Sequence, residues 1–347
     1  MVAVFDGHND FLQRLLQGDA EQIWLEGDGT GHIDLPRLKA GGIFGGFFAL
    51  WVPSEDQADR AAQKLMQENP PYDIKLDAQV PYTAAIAHAF RLTAALRRIE
   101  ATGTLSVCTS VAEIEAAQQA GRIAAILHME GAEPVSSLDD LALWHGMGLR
   151  SLGPVWSRPT DYGHGVPFAF PSSPDTGPGL TGRGRELIAE CDRLRILVDL
   201  AHLNEAGMRD VAKISKAPLV STHSGAHAVS QSSRNLTDAQ LEMIAASGGV
   251  VGLNFASGFT REDGRREPFE GFDPYLRMLD HLLEKLGESG VAFGSDFDGA
   301  LMPRDLPDAA ALPRLIEAMR AHGYGEALVE RIASRNWLDL LRRVWGA

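Results

Sequence analysis

Short apolar runs alternate with longer amphipathic stretches along the whole chain. Runs of four to eight apolar residues bounded by turn formers read as strands; apolar positions at helical spacing read as helices. Strands are predicted at 2–5, 43–49, 123–127, 149–153, 195–200, 218–222, 249–254 and 291–295, with a weaker ninth at 104–107. Helices are predicted at 81–101, 111–120, 182–193, 203–214, 237–247, 273–287 and 325–345. Ser110 and Thr237 stand where N-caps belong, and Asp273-Pro274 places a proline in a first turn.

Strands that alternate with helices imply a parallel sheet. Eight of them in 347 residues predict an α/β fold, a single (β/α)8 TIM-type barrel domain spanning 1–347, in preference to an open doubly wound sheet. No Gly-x-Gly-x-x-Gly follows the first strand, which weakens a dinucleotide-binding reading. The longest irregular stretch, 154–181, follows the fourth strand and is expected to cover one end of the barrel.

Composition adds exclusions. With 45% hydrophobic and 22% charged residues the chain is globular and can bury a large core. A net charge of -14 argues against a nucleic-acid partner. Two cysteines, Cys108 and Cys191, form no Cys-x-x-Cys motif and are expected to be free, packed thiols. No stretch approaches the roughly 18 apolar residues of a membrane span, and the N-terminus lacks a basic leader. The expectation is a cytoplasmic protein with no membrane partner, although a chain with its leader removed would read the same.

Candidate chemistry gathers at the C-terminal ends of five of the eight strands. His8 and Asp10 follow the first, His128 and Glu130 the third, His202 the fifth, His223 the sixth, Asp296 and Asp298 the eighth. Residues i and i+2 of extended chain point the same way, so His8 and Asp10 can face one ion. All strand ends of a barrel open on one rim, where distant ligands converge. Any one of these residues alone is better explained as a capped turn or a hydrogen-bonded histidine; their joint placement points to a metal site. Imidazole and carboxylate without thiolate suit zinc, and also manganese, cobalt or iron. The set exceeds the needs of one tetrahedral ion and suffices for two that share a carboxylate, for which Glu130 is the natural bridge. Two such metals sharing a hydroxide perform hydrolysis. Asp296 is the candidate general acid/base.

The segments DGHND, ILHMEGAEP, GLRSLGPVWS, VDLAHLNEAGM, STHSGAHAVSQSSRN and GSDFDG occur in this order over nearly the whole chain. Together they resemble the membrane dipeptidase (renal dipeptidase) family of the amidohydrolase superfamily. The resemblance implies a dipeptidase with two zinc ions per subunit, acting on L-Xaa-L-Xaa and L-Xaa-D-Xaa substrates. By its pattern His8 and Asp10 hold one zinc, Glu130 bridges, His202 and His223 hold the other, and Asp296 is the acid/base. Arg234 falls on the family's substrate-carboxylate arginine, and the family's habit of pairing implies a homodimer. One position departs from the pattern. Trp156 stands where family members often carry a carbonyl-binding histidine; either His164 from the long loop replaces it or the carbonyl is polarised by metal alone, and Trp156 could wall the side-chain pocket. The pattern gives His128 and Asp298 no ligand role: His128 reads as a support behind the ligands or as core packing, and Asp298 as a support or a turn residue. The alternatives are a related amidohydrolase acting on N-acyl amino acids or lactams, and a non-catalytic metal-binding protein.

Overall fold

The computed structural model describes residues 1–54 and 60–346. Its strands are β1 (Val4–Asn9), β2 (Ile43–Trp51), β3 (Tyr72–Ile74), β4 (Leu105–Val107), β5 (Ile123–Glu130), β6 (Leu149–Gly153), β7 (Phe168–Phe170), β8 (Leu197–Val198), β9 (Val220–Ser224), β10 (Val250–Leu253) and β11 (Val291–Phe293). All nine strands expected from apolar runs are present. All residues of β1 and β5 are buried, as expected of parallel strands covered on both faces.

The larger parallel sheet runs β1-β2-β5-β6-β8, with β4 added to the start of β5; a second runs β9-β10-β11. Single parallel bridges, Asp199↔Val220 and Asn9↔Phe297, join the sheets at both edges. The larger sheet is curled. Phe5, Phe47, Ile126, Leu197, Val220, Val250 and Ala292, one from each of seven strands, meet in one buried cluster. Trp337 of the C-terminal helix closes this cluster, with its indole N–H donated to the Phe293 carbonyl at 2.8 Å. A larger apolar layer fills the space between strands and outer helices.

The helices begin where their caps predict. Ser110 and Thr237 each accept the backbone N–H three residues on, Thr237 in a full capping box with Gln240. The helix expected over 325–345 is broken instead. A π-helical turn at Arg331–Arg335 separates Glu326–Glu330 from Asn336–Trp345. It delivers Asn336, whose amide donates to the carbonyls of Glu288 and Val291. The stretch 154–181 is not wholly irregular either. Its strand β7 pairs antiparallel with β3, Tyr72 opposite Phe170. Cys108 and Cys191 are free and buried. Among the described residues no helix is long and apolar enough to cross a membrane.

Candidate metal centre

Parallel register brings the polar strand ends together. Trp51 on β2 lies opposite Glu130 on β5, and Glu130 lies opposite Gly153 on β6. Near the other edge, the His8 carbonyl accepts the Asp296 N–H at 3.0 Å, and the Phe297 carbonyl accepts the Asp10 N–H at 2.9 Å. Gly7 allows this approach: a Cβ there would overlap Trp337 and the carbonyls of Thr222 and Phe293.

His8, Asp10, Glu130, His202, His223 and Asp296 all converge, buried. Three groups of donors lie within 4.8 Å of one another: His8, Asp10 and Glu130; Glu130, His202 and His223; His8, His223 and Asp296. Glu130 divides its oxygens between two of them. Its Oε2 is 3.7 Å from His8 Nε2, while Oε1 is 3.0 Å from His202 Nε2 and 3.5 Å from His223 Nε2. Asp10 Oδ2 is 3.5 Å from His8 Nε2. Both His8 nitrogens and Asp10 Oδ1 are buried without a hydrogen-bond partner. Orphaned buried donors and acceptors are costly, and a shared cation relieves them. The donor set therefore fits a metal.

The electrostatics favour positive charge at this point, a proton on His8 or a metal ion that displaces it. Burial opposes a charge on His8, but Glu130, Asp10 and Asp296 push its imidazole up to about 10. Burial holds His202 and His223 well below the ordinary histidine range, helped by the Arg234 and His8 cations. They present the neutral imidazole that a metal requires. Burial drives the Glu130 carboxyl well above its usual range, with Asp10 and Asp296 adding to the effect and His8 opposing it. Asp296 is raised to about 6, by burial and then by Asp10.

Polar residues behind the cluster fix its orientation. Ser157 Oγ is 2.7 Å from His202 Nδ1, and Thr222 Oγ1 is 2.9 Å from His223 Nδ1. Thr222 also donates to Asp199. Ser295 donates its N–H and hydroxyl to Asp6, at 2.8 Å each. Asn254 Nδ2 donates to Asp296 Oδ2 at 2.9 Å. His128 belongs to none of the three groups. It sits between Ser151 Oγ at 2.9 Å and Asp199 Oδ2 at 3.6 Å. Asp298 accepts the His32 N–H at 2.6 Å. Three of the four non-glycine residues with positive φ, among those described, lie here: His202 at 66°, Asp296 at 59° and Asp298 at 67°.

A cavity of about 480 Å³ opens over Asp10, Glu130, His202 and Asp296, and Trp51, Trp156, Phe168 and Phe259 form its apolar walls. Trp156 packs against Trp51 and Phe168 at centroid distances of 5.4 and 5.6 Å. His164 does not line this cavity; its Nδ1 is 3.2 Å from the Gly179 carbonyl. Arg234 is buried with its Nε unpartnered, its guanidinium 5.6 Å over the Phe259 ring and its Nη2 donating to the His223 carbonyl. Beside the site, Arg158 and Glu133 form a fully buried ion pair at 2.5 Å that the sequence did not announce.

A curled parallel sheet carrying histidines and carboxylates at its strand ends defines a metal-dependent hydrolase. The chain belongs to the membrane dipeptidase family, peptidase family M19, whose profile matches residues 1–347. It is similar to a crystallised metallopeptidase from Rhodobacter sphaeroides, bound there to a phosphinate mimic of the dipeptide L-Ala-D-Ala. That match has 54% identity and a TM-score of 0.97 and covers 99% of each chain. A second crystallised M19 protein, dipeptidase AC, has 54% identity and a TM-score of 0.96, covering 100% of this chain and 99% of that one. An uncharacterised protein of the pqqA 5′ region of Klebsiella pneumoniae is 44% identical over 244 residues, 70% of this chain and 90% of that protein.

Proposed function

We propose that this metallo-dipeptidase is a dinuclear zinc enzyme whose ions are held by His8, Asp10, Glu130, His202 and His223. The division of the Glu130 oxygens between His8 on one side and His202 and His223 on the other carries this reading. A bridging carboxylate needs that arrangement, and nitrogen and oxygen donors without thiolate suit zinc. Bound in this way, the two ions would acidify water and polarise the scissile carbonyl.

The chain's own residues supply the rest. Asp296 takes the proton of the attacking water and delivers it to the leaving amine. Asn254 holds the Asp296 carboxylate in place. Arg234 receives the substrate's terminal carboxylate, because its buried guanidinium keeps an unpartnered Nε and a fork geometry matched to two oxygens. Trp156 walls the side-chain pocket with Trp51 and Phe168 and excludes water. The substrates are L-Xaa-L-Xaa and L-Xaa-D-Xaa dipeptides; the ligand of the Rhodobacter relative supports the second form.

The same proposal includes one domain over 1–347, closed as a (β/α)8 barrel. The bridges at both sheet edges and the buried cluster fed by seven strands support it. A panel of dipeptides assayed with and without chelator tests the function. Chelator-sensitive release of free amino acids is expected. Activity confined to N-acetylated amino acids would replace the dipeptidase reading.

A further inference from the structure

The floor of the cavity is acidic, formed by Asp10, Glu130, Asp296 and Asp298, yet Arg266 and Lys64 also line it. Neither the Arg266 guanidinium nor the Lys64 ammonium forms a hydrogen bond or an ion pair among the described residues. Glu68 acts on Arg266 through space without pairing with it. A partly buried guanidinium offers five donors in a rigid fork, a shape that matches the two oxygens of a carboxylate entering a concave site. The backbone is fixed: the Arg266 N–H donates to the Gln67 carbonyl at 2.8 Å. Arg266 also packs over Gly258, where an added Cβ would lie 3.5 Å from the Arg266 Cα. Phe259, next in the chain, carries the Arg234 guanidinium on its ring. Arg266 thus lines the cavity beside Gly258 and Phe259, and Arg234 is buried against the ring of that same Phe259.

We propose that Arg266, assisted by Lys64 at the mouth, binds a carboxylate on the side chain of the substrate's C-terminal residue, so that dipeptides ending in Glu or Asp are preferred. This rests on the dipeptidase reading, in which Arg234 takes the terminal carboxylate. The next group along from that carboxylate is the side chain of the same residue. A bidentate guanidinium–carboxylate pair in a half-enclosed site is the stronger contact, and the lysine adds a screened attraction at the rim.

The test compares Ala-Glu with its neutral isostere Ala-Gln, using the metal-loaded enzyme. The wild type is expected to show a kcat/KM ratio of about ten or more in favour of Ala-Glu, a size typical of one charge-assisted contact. Arg266→Met is expected to bring the ratio near one, and Lys64→Met to lower it about two- to threefold, an effect that shrinks with added salt. Because each ratio is internal to one protein, a poorly folded variant does not mimic the effect. Arg266→Glu tests the sign and is expected to favour Ala-Lys over Ala-Glu. Equal wild-type turnover of Ala-Glu and Ala-Gln, or an unchanged ratio in Arg266→Met, overturns the subsite while leaving the dipeptidase reading intact. Equal loss of both substrates in Arg266→Met assigns Arg266 to the terminal carboxylate and overturns the subsite as well. No turnover of any dipeptide overturns the dipeptidase reading and the subsite with it.

Discussion

Gly299 lies against Asp10 so closely that a Cβ on it would overlap Asp10 Oδ2, and Asp296 Oδ1 beside it. Its φ is not in the left-handed region, so the backbone itself would accept alanine. Gly299→Ala is therefore a local wedge between two carboxylates. Turnover is expected to fall about 100-fold or more, given how steeply rate depends on placement. Bound metal should also decrease, with little change in melting temperature. Kinetics alongside metal analysis check this; full activity in the variant would mean that the two carboxylates can part without consequence.

Asp296→Asn keeps the shape and the Asn254 contact region but removes the proton acceptor. Turnover is expected to drop about 10²- to 10⁴-fold while metal content stays near the wild-type value. Measuring both on one preparation separates proton transfer from metal binding. Retained turnover would place the acid/base elsewhere.

Ser157→Ala removes the hydroxyl 2.7 Å from His202 Nδ1. A metal-binding imidazole that loses its partner on the far nitrogen loses its fixed tautomer and orientation. Metal affinity is expected to weaken about 10- to 100-fold. Competition against a chromogenic chelator reads the change, and an affinity equal to wild type would show that His202 is held by packing alone.

His32 sets part of the acid stability. Burial, then the Arg14 cation, push its imidazole from 6.5 down to about 4, and its Nδ1 accepts the Asp298 N–H at 2.8 Å. The unfolded chain binds this proton first, between pH 6.5 and 4. Stability from neutral His32 is thus present above the unfolded value and is lost as pH falls toward 4. Asp298 acts in the opposite sense, since burial lifts its carboxyl from 3.8 to about 6 and the native state takes that proton first. His32→Asn removes only the first effect. Denaturant unfolding between pH 4 and 7 is expected to show a shallower loss of stability on acidification in the variant. Parallel curves would remove His32 from the account.

The strands were legible because each is an apolar run long enough to stand out, and their order set the sheet. His8, Asp10, Glu130, His202, His223 and Asp296 were legible because polar residues directly at the ends of such runs are conspicuous. The β3–β7 pair was not, since three-residue strands such as Tyr72–Ile74 carry no periodicity. Nor was the π-helical turn at Arg331–Arg335, because the apolar positions on either side of it each keep a helical spacing and read as one helix. Ser157 and Asn254 were missed for a different reason. A search for metal donors passes over a serine and an amide, although Asn254 closes the predicted strand 249–254 and could have drawn notice there. Arg158 and Glu133 pair across 25 residues, a relation that only the folded chain reveals.

His202, Asp296 and Asp298 hold left-handed backbone angles without being glycines. Each such residue carries about 1 kcal/mol or more of strain relative to a glycine in the same place. At His202 and Asp296, which the reaction needs, a screen that rewards heat resistance alone is free to relieve that strain at the expense of turnover. Laboratory evolution of this chain has to select for turnover and melting temperature together, because at these positions the two pull the sequence in opposite directions.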